Sequence, residues 1–409
     1  MPSDSQVVHA GIAVAAGTRH ELTNESGMAH LVEHNCFKGT PRLSSLQILN
    51  RIESLGGELN AYTGKEETIY YATFLRQHLT TSLSLLMDIV FHSIFPQEQL
   101  EKEIEVVIDE IQSYEDSPAE QIYDDFEGIL FSGSPLGRNI LGNADSLHQY
   151  HSEDLHRFVK RTYHQNRAVL FVKGQVTEQE LRRIINRITA KLDSVESVSP
   201  QQPLINTTLP ITSSSQFSLS APSSPIIIPR HVHQAHVILG SRAYGATDAR
   251  FLPLLLLSNI LGGPAMNSRL SLSLRERTGL VYTVESSYIP YTDTGVWSVY
   301  FGCDDVDVER CLRIVHRQLM RLIDVPLPLR TLTVAKTQLK AQLAISYENA
   351  QTIALHNAKR YLHDNAVPSI EDVEKAIDAI TASQLQSVAE DILNPDKITT
   401  LIYKPTAEN

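Results

Sequence analysis

The chain has 409 residues, a formal net charge of −12 and an apolar share of 42%. This length allows two or more packed domains, and the acidic balance argues against nucleic acid as the main partner because no basic surface is available to neutralise phosphates. The three cysteines, Cys36, Cys303 and Cys311, are too few and odd in number for a disulfide framework, which indicates a reducing compartment.

The sequence predicts neither a membrane anchor nor a signal peptide. Its most apolar run, FLPLLLLSNIL (residues 251–261), contains Pro253 and is much shorter than the roughly 20 residues that cross a bilayer. The first residues show no basic stretch followed by an apolar one. We therefore expect a cytoplasmic protein without membrane insertion, and a processed organellar or periplasmic form is the alternative.

The stretch GMAHLVEHNCFKGT contains two histidines four residues apart, His30 and His34, with Glu33 directly before the second. Asn24 or Ser26 can cap a helix that starts here. Residues four apart share one helical face, so both imidazoles can point at one metal ion. The order H-x-x-E-H is a known metal-binding signature. The same triplet also fits three polar residues on a solvated helix face.

The segment PQEQLEKEIEVVIDEIQSYEDSP (residues 96–118) predicts a long amphipathic helix with an apolar stripe at helical spacing. Glu103 and Glu110 are two turns apart and lie together on one flank of that stripe. A carboxylate at the edge of a buried face can reach a metal that a neighbouring helix holds. A salt-bridged acidic helix without any such role fits the same pattern.

Residues 195–225 are rich in Ser, Pro and Thr and lack a helical period, so they predict an exposed linker between residues 1–194 and 226–409. The two halves repeat one order of elements: two strands, a helix, and later a helix followed by a short buried strand. We therefore predict an α+β fold of two homologous domains, each a mainly antiparallel sheet packed with helices.

Several separated motifs together resemble the pitrilysin-type zinc metallopeptidases, the inverzincins: GMAHLVEHNCFKGT, LGGELNAYTGKEETIYYATFL, EKEIEVVIDEI and SPLGRNILGNADSL. The likeness extends over nearly the whole chain. In that family the third zinc ligand is a glutamate downstream of the first histidine, and Glu110 stands at the matching distance from His30. A second family glutamate lies two helical turns earlier, at the position of Glu103.

The resemblance implies roles for these side chains in residues 1–194, the expected catalytic domain. His30, His34 and Glu110 would hold Zn²⁺ and leave one coordination position for water. Glu33 would act as the general base, and Glu103 would support a ligand from outside the coordination sphere.

Two further motifs match family segments that contact the substrate. Asn60 and Ala61, in LNAYT, correspond to an edge strand that pairs with the substrate backbone. Arg275 and Tyr282, in the second half, correspond to an Arg/Tyr pair that stabilises the substrate carbonyl or the oxyanion. From the residues alone, a plain hairpin strand, a helix-end arginine and a core tyrosine are the simpler interpretation.

The family resemblance implies a zinc-dependent endopeptidase that cleaves peptides or unfolded polypeptide segments in a closed chamber. A chain with two domains would complete the site as a homodimer, in which Arg275 and Tyr282 of one subunit reach the zinc of the other. Residues 226–409 would then be a homologous inactive domain. Two alternatives stay open: a non-catalytic structural or regulatory subunit of the same fold, and the active subunit of a heteromeric processing peptidase.

Overall fold

The computed structural model describes residues 1, 4–193 and 224–406, so the predicted linker lies almost entirely outside the described residues. The strands are β1 Val7–Val14, β2 Glu58–Thr63, β3 Thr68–Leu75, β4 Ala168–Lys173, β5 Ile226–Arg230, β6 Ala235–Ala243, β7 Val281–Pro290, β8 Gly295–Cys303 and β9 Thr399–Pro405.

The α-helices follow the same chain order, and short 3₁₀ turns and a π-helix, Ser271–Glu276, accompany them. The α-helices are α1 Met28–Asn35, α2 Ser45–Glu53, α3 Leu79–Phe91, α4 Gln97–Glu115, α5 Pro118–Leu130, α6 Ala144–Leu147, α7 Ser152–Thr162, α8 Glu178–Asp193, α9 Phe251–Gly262, α10 Val308–Asp324, α11 Leu329–Tyr347, α12 Ala350–Asp364, α13 Ile370–Ala379 and α14 Ala382–Ile392.

The first of two compact units comprises the described parts of Met1–Ile111, Arg138–Thr212 and Ser346–Val367. Its sheet has the strand order β2-β3-β1-β4, with antiparallel pairing throughout. Strand β1 is central because its side chains are apolar on both faces. Strand β2 forms one edge of the sheet.

Different parts of the chain cover the two faces of this first sheet. Side chains alternate along β1, so Ile12 points to the face on which α1, α3, α4 and α7 build the main core. Ala13 points to the opposite face, where Ile69 and Phe171 join it. Helix α12 covers that second face with two buried alanines, Ala354 and Ala358.

The second unit comprises the described parts of Gln112–Gly137, Ser213–Ile345 and Pro368–Asn409. Its sheet has the order β5-β9-β6-β8-β7, in which β5 runs parallel to β9 and the other neighbours are antiparallel. The order β7-β8-β6-β9 repeats the order β2-β3-β1-β4 of the first unit. The predicted α+β fold with two similar domains is therefore confirmed.

The second sheet is also covered on both faces. Helices α9, α10, α11, α13 and α14 share one apolar core with it. Helix α5 covers the opposite face, where Phe126 packs in one cluster with Ile238, Tyr300 and Tyr403.

The compact units differ from the predicted ranges 1–194 and 226–409 in two segments. Residues 112–137 belong to the second unit and residues 346–367 to the first. Each sheet has two apolar faces that must be buried. A single domain boundary near the linker would assign α5 and α12 to a different domain from the sheet faces that they cover.

None of the helices in the described part of the chain combines the length and the apolar content needed to cross a bilayer.

Candidate metal centre

The first turn of α1 is fixed by a carboxylate from outside the helix. Glu21 accepts hydrogen bonds from the backbone N–H groups of Gly27 (3.4 Å) and Ala29 (3.0 Å). Burial raises the pKa of Glu21 to about 8, although these two hydrogen bonds oppose the rise. Neither Asn24 nor Ser26 caps α1, because Gly27 takes the N-cap position with a φ of 80°. That left-handed conformation favours glycine.

Gly27 and Gly142 pack against each other where α1 begins. A Cβ atom on Gly27 would lie 2.6 Å from the carbonyl oxygen of Leu141, and a Cβ atom on Gly142 would lie 2.7 Å from the Cα of Gly27. Both contacts are too short for a real side chain. The stretch SPLGRNILGNADSL, which contains Gly142, therefore supports the start of α1.

The predicted ligands meet in the first unit. Nε2 of His30 lies 3.7 Å, and Nε2 of His34 3.6 Å, from the same oxygen, Oε2 of Glu110. The two imidazole rings are edge to face, with centroids 4.6 Å apart. One ligand atom from each residue lies within 4.8 Å of the others, and no other described group of three such residues meets that condition.

The three side chains fit a tetrahedral metal. Bonds of about 2.0–2.1 Å at a tetrahedral centre place ligand atoms about 3.3 Å apart, and the observed 3.6–3.7 Å is close to that separation. Two imidazole nitrogens and one carboxylate oxygen are a donor set that zinc accepts. The three ligand atoms, which lie within 4.8 Å of one another, would have to draw closer together to surround one ion.

Glu103 lies directly behind His34. Its Oε2 is 3.1 Å from Nδ1 of His34, and its Oε1 is 2.5 Å from Nζ of Lys38. The carboxylate therefore accepts a hydrogen bond from Nδ1 of His34 and turns Nε2 of the ring towards Glu110. Lys38 holds the other oxygen and stops the carboxylate from turning away.

Glu33 is buried beside the ligands, and it is not part of the three-ligand cluster. Thr63, the last residue of β2, donates a hydrogen bond of 2.8 Å to its Oε2. Burial raises the pKa of Glu33, and the Thr63 hydroxyl partly opposes that rise. The arrangement leaves one carboxylate oriented next to the metal position and available for proton transfer.

The two histidines have opposite electrostatic surroundings. Burial, with the nearby charge of His34, lowers the pKa of His30 to about 4. Burial would also lower the pKa of His34, but hydrogen bonds to Glu103 and Glu110 outweigh it and raise the pKa to about 9. The hydrogen bond to His34 lowers the pKa of Glu110. Two carboxylates thus favour a positive charge at His34, and a metal cation can take the place of that proton.

Asn60 and Ala61 lie in the middle of β2, the edge strand. The only strand that pairs with β2 among the described residues is β3. Asn60 is exposed, and Ala61 is half-buried. The backbone of β2 is therefore open on its outer side, and the strand ends at the Thr63–Glu33 hydrogen bond.

Arg275 and Tyr282 lie in the second unit and are not part of the ligand cluster of the first. Arg275 is in the π-helix, where its Nε is 2.9 Å from Oε1 of Glu276. The side chain of Tyr282, on β7, is 90% exposed. Tyr282 is thus not a core tyrosine.

No role was predicted from the sequence for Glu21, Lys38 or Thr63. Lys38 stands four residues after His34, so the helical spacing could have suggested it. Thr63 lies in the motif LGGELNAYTGKEETIYYATFL and ends β2. The alternation of side chains along a strand does not show which helix contacts the last residue of that strand. Glu21 lies before α1 and contacts its first turn through a bend of the chain, so no regular residue spacing indicates this contact.

Sequence profiles of two families cover most of the chain. The profile of insulinase (peptidase family M16) matches residues 2–144. The profile of the peptidase M16 inactive domain matches residues 150–339.

Individual proteins are similar over almost the full length. SCO5738, a zinc protease of Streptomyces coelicolor, is 30% identical over 383 residues, which are 94% of this chain and 82% of that protein. The bovine mitochondrial-processing peptidase subunit beta is 28% identical over 388 residues, or 92% and 76% of the two chains. A crystal structure of a protease from Helicobacter pylori shares the fold, with a TM-score of 0.86 and 22% identity over 99% of this chain and 96% of that one.

Proposed function

Because the chain belongs to peptidase family M16, the insulinase family, we propose that it is a zinc-dependent endopeptidase that cleaves peptides or unfolded polypeptide segments. The observation that carries this proposal is the convergence of His30, His34 and Glu110 on one point, with Glu33 buried beside them and outside the ligand set. A metal site with three protein ligands and a neighbouring carboxylate is the arrangement of a hydrolytic centre.

The three ligands would hold Zn²⁺, which acts as a Lewis acid and lowers the pKa of water to about 7 when it is bound. Glu33 takes the proton from the attacking water and delivers it to the leaving amine. The hydroxyl of Thr63 keeps one oxygen of Glu33 in place, so the other oxygen is free for this transfer. Glu103 orients His34 and takes no part in proton transfer to the substrate.

An extended substrate would bind as an additional strand on β2. The outer side of β2 has no strand partner among the described residues, and Thr63 at its end contacts Glu33. A peptide paired along Asn60 and Ala61 would thus run towards the metal position. Backbone pairing reads extended chain rather than particular side chains, so the substrate must be unfolded or short.

Arg275 and Tyr282 would complete the site from a second subunit. An arginine and a tyrosine hydroxyl can stabilise the substrate carbonyl and the developing oxyanion. The exposure of the Tyr282 side chain leaves its hydroxyl available for such a contact. We therefore propose a homodimer with a closed chamber, where each zinc faces the Arg/Tyr pair of the other chain.

A heteromeric peptidase is the second candidate. The observation that favours it is the likeness to the bovine subunit beta, which is named as one subunit of a processing peptidase. A purely structural subunit is disfavoured, because His30, Glu33, His34 and Glu110 are all present and the three ligands converge. A cytoplasmic location stays a prediction, supported by the small, odd number of cysteines in the sequence, which indicates a reducing compartment.

Metal analysis combined with cleavage of an unstructured peptide tests this function. We expect the purified chain to bind one zinc per subunit, to lose activity on chelation and to recover it when zinc is restored. Glu33→Gln should keep its zinc and lose cleavage by a factor of at least about 10². Glu110→Gln should lose both zinc and cleavage.

The control is Asp109→Asn, which changes an exposed carboxylate next to Glu110 on α4. It should leave zinc content and activity unchanged. Cleavage that survives both chelation and Glu33→Gln would show that the proposed centre does not carry the reaction. Zinc-loaded chain without cleavage, alone or with a related subunit, would favour the structural alternative.

A further inference from the structure

The second unit contains a cavity of about 420 Å³, and none of the proposed catalytic residues is among its described lining residues. Arginines, one amide and apolar groups line it. The lining residues are Arg269, Leu272, Ser273, Arg277, Gln318, Arg321, Val325, Pro326 and Pro328. This volume is in the range of about 300–1,000 Å³ that is common for small-molecule sites.

The positive charge in this cavity is not balanced by any acidic side chain among the described residues of its lining. Arg269, Arg277 and Arg321 form no ion pair with any other described residue. Two other arginines of α10 have acidic neighbours: Arg310 lies 3.9 Å from Asp307, and Arg313 lies 3.6 Å from Glu309. Three unpaired guanidinium groups around one cavity thus form a positively charged site.

Arg269 shows the electrostatic consequence. Its side chain is partly buried, and burial together with the charge of Arg321 lowers its pKa. Two guanidinium groups near enough to repel each other destabilise the unit unless an anion lies between them. An anionic ligand would relieve this repulsion.

Gln318 adds a polar group to the lining. The residue is 8% exposed, and no other described residue forms a hydrogen bond with its side chain. Gln318 and Arg321 are three residues apart on α10, so they share one helical face. The amide can therefore donate a hydrogen bond to a ligand oxygen in the cavity.

We propose that this cavity binds a small organic phosphate. The phosphoryl oxygens would accept hydrogen bonds from the arginines and from Gln318, and the organic part would pack on Leu272, Pro326 and Pro328. A phosphate monoester carries a charge of about −1.5 to −2 at neutral pH and three acceptor oxygens. It neutralises up to two guanidinium groups, whereas one carboxylate neutralises only one. The planar fork of arginine suits such oxygens.

The test is isothermal titration of the zinc-loaded full chain with phenyl phosphate at constant ionic strength, supported by ³¹P NMR. Benzenesulfonate and benzoate serve as matched ligands with the same ring and a single charge. We expect saturable binding of one phenyl phosphate per chain and at least about tenfold weaker binding of the two monoanions. Equal binding of all three ligands would overturn the assignment to phosphates, and absence of saturable binding would overturn the site.

Arg269→Gln and Arg321→Gln should each weaken phenyl phosphate binding by about tenfold or more. Arg321 is exposed, so its variant should fold even if loss of the partly buried Arg269 disturbs the unit. The control is Arg317→Gln, an exposed α10 arginine outside the lining, which should bind like the wild type. Binding that is lost in metal-free Glu110→Gln and kept in both cavity variants would place the phosphate at the zinc and refute the proposal.

Discussion

Nδ1 of His34 lies 3.1 Å from Oε2 of Glu103, while Nε2 of the same ring lies 3.6 Å from Glu110. The Glu103 carboxylate therefore sets the tautomer of the His34 ring. The Glu110 carboxylate and Nε2 of His34 would bind the same proposed metal ion. Because Lys38 anchors the second oxygen of Glu103, the imidazole is held on the metal side before any ion binds.

Glu103→Ala should weaken zinc binding by about 10- to 100-fold, the usual effect of removing a carboxylate that supports a histidine ligand. Competition with a zinc chelator measures the affinity. Glu103→Gln keeps an acceptor oxygen and should recover part of the loss. Unchanged affinity in Glu103→Ala, with the fold intact by circular dichroism, would show that His34 does not depend on this contact.

Thr63→Val should lower kcat by about tenfold and leave the zinc content unchanged, because a hydrogen bond to a carboxylate contributes about 1.5–3 kcal/mol. The substitution keeps the shape of the side chain and removes the hydroxyl that donates to Glu33. Thr63→Ser should restore the rate. A variant that loses zinc together with activity would assign Thr63 a structural role instead.

The positions of the proposed metal ligands on their helices follow from short-range rules. His30 and His34 share a helical face by their spacing, and the apolar stripe of α4 places Glu103 and Glu110 on one flank of that helix. The family resemblance then selected Glu110 at its distance from His30. Local periodicity and resemblance thus located the cluster, although the roles of its members stay predictions.

Contacts between distant segments were not predictable in this way. The pattern of β1 shows that both sheet faces are apolar, but it does not show that α12, nearly 350 residues into the chain, covers one of them. Likewise, Gly27 adopts a φ of 80°, so the chain turns before α1 and brings Glu21 to the helix start. Such pairings depend on the folded path of the backbone rather than on residue spacing.

Mixing Glu33→Gln protein with Tyr282→Phe protein tests whether the site forms between subunits. Each variant alone should be nearly inactive. Random exchange should restore about a quarter of the wild-type activity, since half of the dimers are mixed and each has one intact site. A mixture of Glu33→Gln with Glu110→Gln should stay inactive, because both changes affect the same half-site. Proven subunit exchange without recovered activity would contradict a site shared between chains.

Glu67 is a buried carboxylate that holds α12 on the first sheet. It lies 2.6 Å from Nζ of Lys359 and 3.0 Å from Nε2 of His363, and it is only 2% exposed. Burial alone would raise its pKa, but the hydrogen bonds and charges of His363 and Lys359 outweigh burial and hold the pKa below 4.5. Glu67 therefore stabilises the folded unit in its ionised form.

Glu67→Gln should lower the free energy of unfolding at neutral pH by about 1–3 kcal/mol, because it removes the charge and keeps the volume. The folded-state pKa lies below the ordinary value of 4.5, so the ionised wild-type residue contributes fully above that pH. Its contribution decreases as pH falls through the folded-state value. Urea unfolding at a series of pH values should therefore show the largest difference between wild type and variant above pH 4.5 and a shrinking difference below it.

Glu98→Gln, which breaks the exposed pair with Lys102, should leave unfolding unchanged at every pH. A difference for Glu67→Gln that persists undiminished into strong acid would mean that Glu67 acts through packing rather than charge.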